Sequence, residues 1–94
     1  MCLEEYIHKA VGICGVSAGP FGGTRVIEHL LPVMRELGLV TTFTDVNFSN
    51  VQKVFGEGGG LLDDSFVRRV GKFLDELIWM ARVLRHGREN VAPV

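Results

Sequence analysis

The residues best suited to chemistry lie together near the start of the chain. Ser17-Ala18-Gly19-Pro20-Phe21-Gly22-Gly23-Thr24 holds three glycines and a proline in eight residues, directly after the apolar run Ala10–Val16 and directly before a helical apolar period. Glycine lets backbone approach a ligand at a distance that a side chain would prevent. A helix start adds unpaired N–H groups and a partial positive charge. Strand, glycine loop and helix in that order form the crevice in which open α/β sheets bind ligands. A strand-to-helix turn needs only one glycine, so Ser17, Gly19, Gly22 and Gly23 with Pro20 exceed what a turn requires. The plain turn nevertheless stays open as the structural alternative.

Several chemistries are excluded. No Gly-Lys-Ser/Thr follows the loop, and no Gly-x-Gly-x-x-Gly opens the helix, so neither the triphosphate nor the dinucleotide pattern is present. His8 and His29 have no metal-pair spacing, and no nucleophile–base constellation is legible, so no catalytic side chain is assigned. Cys2 and Cys14 lack metal or redox-motif spacing, and Cys14 reads as a small strand hydrophobe in a reducing, cytoplasmic setting. Net charge is −1, which argues against a nucleic-acid binder. No stretch is long and apolar enough to cross a bilayer, and Met-Cys-Leu-Glu-Glu is no secretory signal.

The elements that would position the loop follow from periodicity. With 94 residues, 47% hydrophobic and 22% charged, the chain reads as one small folding domain. Cys2 to Lys9 reads as a short helix. Residues 10–16 read as a strand buried on both faces. Residues 24–37 form a helix through Val26, Ile27, Leu30, Leu31, Met34 and Leu37, bent but not ended by Pro32 and stopped by Gly38. Residues 39–44 read as a half-polar edge strand. Residues 45–62 read as a long irregular connection. Residues 63–86 read as the last helix, capped by Asp63 or Asp64 and ended by Gly87. Phe66, Val70, Phe73, Leu74, Leu77, Ala81 and Leu84 form its expected buried stripe, with Trp79 beside it as a packing or subunit contact.

This order carries a resemblance. Val16-Ser17-Ala18-Gly19-Pro20-Phe21-Gly22-Gly23-Thr24-Arg25, followed by Glu28-His29-Leu30-Leu31-Pro32-Val33, resembles the fourth strand, loop and helix of the NADPH-dependent FMN reductases, which are flavodoxin-like. Val46-Asn47-Phe48-Ser49-Asn50-Val51-Gln52-Lys53-Val54-Phe55 resembles their segment after the fifth strand, and the stretch up to Leu84 their final helix. The resemblance implies an α/β fold, half of a doubly wound parallel sheet, built as βαβα with a short N-terminal helix. It implies an oxidoreductase, a flavoprotein with FMN as cofactor and NADPH as co-substrate. It places Ser17, Ala18, Gly19, Gly22 and Gly23 against the flavin ring and Phe21 toward the nicotinamide side.

The family holds the FMN phosphate on a Ser/Arg-rich loop after its first strand and the far side of the flavin on a motif after its third. Neither occurs in this sequence, so the expectation is a truncated relative or fragment that binds flavin weakly by itself. A central-type strand with one neighbour leaves an edge to be covered. The expectation is therefore an obligate oligomer, a twofold homodimer joined along Ala10–Val16, or a chain completed by a separately made N-terminal half. The alternative function is a non-catalytic oligomerisation or partner-binding module that uses the same edge.

Overall fold

The computed structural model describes residues 3–56, 58–61 and 64–92. Cys2, Leu62 and Asp63, to which the sequence assigns a helix start, a loop end and a cap, lie outside them. The described residues are mixed α/β, with short parallel strand pairs and three α-helices. In place of the N-terminal helix there is a single 3-10 turn, Leu3–Glu5.

The first extended run pairs in two stretches, β1 (Ala10–Val11) and β2 (Cys14–Val16). Ala10 and Val11 lie parallel to Val40 and Thr41 of β3 (Val40–Thr41). Cys14, Gly15 and Val16 lie parallel to Val46, Asn47 and Phe48 of β4 (Val46–Phe48). The register shifts by two residues between the stretches, so the second run carries a bulge. The ladder continues across it: Thr42 N–H donates to the Val11 carbonyl at 3.0 Å, and Val46 N–H to that of Ile13 at 3.3 Å. Phe43, at the tip, is 91% exposed, and its N–H donates to Glu76 Oε1.

This corrects the strand expected over 39–44 and the loop expected over 45–62. Pairing is confined to Val40–Thr41 on one side of the bulge, and the longer paired stretch falls inside the supposed loop. The apolar–polar–apolar run Val46-Asn47-Phe48 wins because it can bury Val46 beneath a helix, whereas Phe43-Thr44 has nothing to pack on. The rest of the expected loop holds a one-turn helix, α2 (Val51–Val54), and a bridge between Phe55 and Leu61.

Helix α1 (Thr24–Glu36) runs through Pro32 as expected. It ends in the pair of hydrogen bonds that a left-handed glycine permits: Leu39 N–H donates to the Met34 carbonyl and Gly38 N–H to that of Arg35, both at 3.0 Å, with Gly38 at φ 79°. Helix α3 (Ser65–Asn90) starts after Asp64, which makes no side-chain cap bond, and passes through Gly87, where the sequence expected it to end. Its far end is held instead by Arg88, which donates to the His8 carbonyl at 2.6 Å.

The helices cover opposite faces. A Cβ at Gly12 would point at the Phe73 ring of α3, and one at Gly15 at Ile27 of α1. Residues an odd number apart along a strand face opposite ways. The buried apolar side chains are Ile13 and Ile27 on the α1 side and Val46, Val54, Phe66 and Phe73 in the cluster under α3. The expectation of a first strand buried on both faces is therefore only half met. Gly15 is buried, but Cys14 and Val16, which share the α3 face, are exposed because α3 lies over β4 at that end. Cys14 is thus an exposed free thiol, not a buried hydrophobe.

Glycine substitutions test this packing. Gly12→Ala brings a Cβ to 2.4 Å from Phe73 Cζ, and overpacking of this kind costs about 1–3 kcal/mol. Gly15→Ala meets the Gly22 carbonyl oxygen at 2.1 Å. That obstacle is backbone with no rotamer to yield, so the loss is larger. Gly87→Ala, inside the helix with open space, raises stability by up to about 1 kcal/mol. Urea unfolding should rank Gly87→Ala the most stable of the three, Gly12→Ala next and Gly15→Ala the least.

Candidate functional site

The glycine loop is built by laying backbone on backbone. Gly22 and Gly23 take φ values of 58° and 76°, in the left-handed region that glycine enters freely. A Cβ on Gly22 would lie 2.5 Å from that of Asn47, and one on Gly23 3.1 Å from Gly15 Cα. The loop therefore folds directly onto β2 and β4. Asn47 is its floor, and its Oδ1 is buried without a hydrogen-bond partner.

The segment after β4 holds the loop from the other side. Ser17 N–H donates to the Phe48 carbonyl at 3.0 Å, Val51 N–H to the Ser17 carbonyl at 3.0 Å and Asn50 N–H to the Gly19 carbonyl at 2.8 Å. The Gln52 side-chain amide donates to the Ala18 carbonyl at 3.2 Å, and the Ser17 hydroxyl also donates to the Gly19 carbonyl. At the helix entry, the Phe21 carbonyl accepts from the N–H and hydroxyl of Thr24, and the Gly23 carbonyl accepts from Ile27 N–H.

Acceptors and donors are thus treated unequally. The carbonyls of Ser17, Ala18, Gly19, Phe21 and Gly23 are engaged. The N–H groups of Ala18, Gly19, Phe21, Gly23, Arg25 and Val26 have no hydrogen-bond partner among the described residues. The carbonyls of Pro20 and Gly22 accept no bond among the described residues, but free donors outnumber free acceptors in the loop, which suits an electron-rich ligand edge. A groove of about 620 Å³ opens along it, lined in part by Ser17, Gly19, Phe21, Gly23 and Arg25. That size suits a small molecule, but two other shallow grooves are as large. The free donors, not the volume, single this one out.

Of the residues the sequence picks, Ser17, Gly19, Phe21 and Gly23 line the groove together. Ala18 is exposed but is not among the lining residues, and Gly22 is buried against Asn47. Phe21 is 77% exposed at the lip. Sequence reasoning missed Asn47, Asn50 and Gln52 as the groups that fix the loop. The available signal was Asn50 just after a strand-like alternation, since asparagine tolerates left-handed backbone, which it adopts here at φ 47°.

A flavin ring would need donors for its polar edge and room for its plane, and the loop offers unpartnered N–H groups and, at Gly19, open space where a Cβ would stand. No comparable cradle for its phosphate is formed among them; Arg25 is the nearest cation lining the groove. No group of His, Cys, Asp and Glu suited to a metal ion occurs among the described residues. No described helix is long and apolar enough to cross a membrane. Against protein-family models, curated proteins and solved structures the chain finds no match, so the flavin-reductase resemblance rests on this chain's own residues.

Asn50 provides the local test. Asn50→Gly keeps stability or raises it, whereas Asn50→Ala loses about 1–2 kcal/mol, the strain of left-handed backbone on an alanine. Thermal unfolding of the pair measures the difference.

Proposed function

We propose that the chain is the flavin-ring half of a flavodoxin-like domain related to the NADPH-dependent FMN reductases. The observation that carries this reading is the set of unpartnered N–H groups at Ala18, Gly19, Phe21, Gly23, Arg25 and Val26, beside engaged carbonyls at Ser17, Ala18, Gly19, Phe21 and Gly23. In this reading the donors of Ala18 and Gly19 meet the polar edge of the FMN ring. Gly19 lets the ring lie close to the backbone, and Phe21 shields the nicotinamide side from water. Arg25 serves the nearest negative charge. FMN, when bound, supplies hydride transfer from NADPH to an acceptor, so the chain itself needs no acid–base residue. A cytoplasmic setting accords with the free thiol of Cys14.

Titration with FMN, followed by flavin fluorescence while light scattering records the mass, tests the reading. Saturable quenching is expected. Gly19→Val, whose Cβ meets nothing, should keep the melting temperature and weaken binding about tenfold or more. A folded chain that leaves flavin fluorescence unchanged, or a valine variant that binds as wild type does, would overturn it.

A second reading has its own observation. Lys9, Val11, Ile13 and Ser17 bond toward the second run. Alternation therefore turns the bonding groups of Ala10, Gly12, Cys14 and Val16 to the other edge, where none has a partner among the described residues. Val16 is also 61% exposed beside them. This edge supports a twofold homodimer or completion by an N-terminal half, with or without flavin. Cys14→Pro removes one outward donor and no bond of the inner ladder. It should lower the assembled mass in sedimentation while the helical circular dichroism is kept. Unchanged mass would exclude the edge.

A further inference from the structure

We propose that a second copy of this chain pairs antiparallel along Ala10–Val16, about a twofold axis at Ile13, and that the pairing carries Lys9 of each copy to the glycine groove of the other. The pairing itself needs no flavin; the role of Lys9 rests on the flavin reading.

The edge is closed at both ends. His8 leaves the strand at φ 61°; its N–H donates to the Gly38 carbonyl at 2.8 Å and its carbonyl accepts from Arg88. At the other end the Ala18 carbonyl accepts from Gln52. Between them, Ala10, Gly12, Cys14 and Val16 turn their bonding groups outward. An antiparallel copy bonds residues in pairs that exchange both groups. Set about Ile13, it joins Ala10 to Val16 and Gly12 to Cys14, and every outward residue finds a partner. Shifted by two residues one way, Val16 falls opposite His8; shifted the other way, Ala10 falls opposite Ala18. Either shift sets an outward residue against a carbonyl already engaged.

Helix α1 locates the axis independently. Ile27 packs over Gly15, and Ile13 lies about 7 Å back along the strand. That length is between four and five residues of helix at about 1.5 Å each, so the axis crosses α1 near Leu31 and Pro32. Leu31 and Arg35 line a groove with Leu39 and Val40 of the second run. The opposite flank, Val26, Leu30, Val33 and Leu37, therefore faces the open edge. These apolar residues follow at steps of four, three and four, a spacing symmetric about the bond between Leu31 and Pro32. The copy thus sets Val26 against Leu37 and Leu30 against Val33, where Val26 is 63% and Val33 49% exposed in the single chain. Paired strands lie about 4.8 Å apart and α1 touches both β2 and β3. The two helices then stand roughly 10 Å apart, a packing distance. Edge and helix flank are self-complementary about one axis, which identifies the occupant as a second copy.

On the other face Cys14 and Val16 lie bare. There α3 buries Phe66 and Phe73 and half-buries Val70, Leu77 and Leu84, but leaves an outer stripe of Val67, Leu74, Ile78 and Ala81 exposed. The sequence had placed Leu74 and Ala81 among its buried residues. The paired edge does not involve this stripe.

In the Ile13 register, Lys9 of one copy stands beside Ser17 of the other, at the start of the glycine groove. Its backbone is fixed by bonds to the Tyr6 carbonyl and from Val40 N–H. Its side chain is exposed and has no ion-pair partner among the described residues. Alternation puts Lys9 on the face of Ile13 and Gly15, the face onto which the loop folds through the Gly22 carbonyl. The lining of that groove holds one cation of its own, Arg25. The second copy adds another, for the phosphate of a ligand whose ring the loop holds.

Sedimentation and light scattering up to about 100 μM should show a dimer, which Val33→Glu weakens about tenfold or more with helical circular dichroism kept. With Cys2 and Cys14 replaced by serine, Ala10→Cys together with Val16→Cys should cross-link two copies when diamide oxidises the thiols; neither cysteine alone should. Wild type should bind FMN about tenfold more tightly than riboflavin, and Lys9→Ala should bind both alike at unchanged mass. Mixing Lys9→Ala with Gly19→Val chains should restore tight FMN sites that neither variant shows alone, since Lys9 then reaches an intact loop from the other copy. A monomeric wild type, or cross-linking by a single cysteine, would overturn the pairing. Cross-linked dimers that bind both flavins alike, or mixing that restores nothing, would overturn the role of Lys9 alone. Dimers that quench neither flavin would overturn the flavin reading, and the role of Lys9 with it.

Discussion

The architecture depends on one contact in which backbone touches backbone. Gly15 sits in the middle of β2, and the carbonyl of Gly22 occupies the space where its side chain would be. Because neither residue has a Cβ, the loop returns onto the strand it has just left, and α1 starts close enough for Ile27 to pack over it. Gly22 in turn rests on Asn47, the register partner of Gly15. Three residues from three segments thus fix the loop before any side-chain hydrogen bond is considered. Hydrophobic burial, which is non-directional, does not define a position this closely.

The same contact accounts for the bulge. For Asn47 to lie under the loop, it must stand beside Gly15, and a regular ladder continued from Val40 and Thr41 would put Asp45 there. Inserting two residues brings Val46-Asn47-Phe48 into line. Val46 and Phe48 then meet the α3 cluster while Asn47 faces the loop. Strand register is normally set by which residues one face buries. Here both faces set it, one through an apolar cluster and the other through a glycine contact. Phe43 is expelled as a result, and the cost is contained because its N–H still finds Glu76.

Much of this was legible in the sequence. The parallel strand–helix–strand unit, the helix through Pro32, the Gly38 stop and the glycine loop each rest on local signals that tertiary context reinforces. What was not legible depends on pairing. Nothing local distinguishes Phe43-Thr44, with high β propensity, from Val46-Asn47-Phe48; the choice is made by α3 and by the loop. Gly87 reads as a helix stop, yet the helix passes through it because Arg88, one residue on, reaches a carbonyl at the other end of the chain. The α3 stripe misleads for a related reason. Its apolar arc is wider than one contact surface, and periodicity cannot separate the part that meets the sheet from the part that does not. The site shows the same division. The glycine loop from Ser17 to Gly23 was apparent, whereas its support by Asn47, Asn50 and Gln52 required the register.

The wide arc also bears on stability. A chain of this size buries a smaller share of its surface than a larger domain does, and among the described residues six apolar side chains are buried, none of them completely. Two further surfaces, the edge from Ala10 to Val16 and the outer stripe of α3, are apolar, regular and uncovered. Free energy gained by covering either one adds directly to the stability of the folded chain, since an unfolded chain presents neither. The glycine loop benefits as well. Its position is set by the register of β2 on β4, and that register is only as firm as the small cluster beneath α3. Contacts that steady α3 or the first strand therefore steady the donors around Gly19, although they touch none of them. Folding and the geometry of the loop are in this way a single equilibrium.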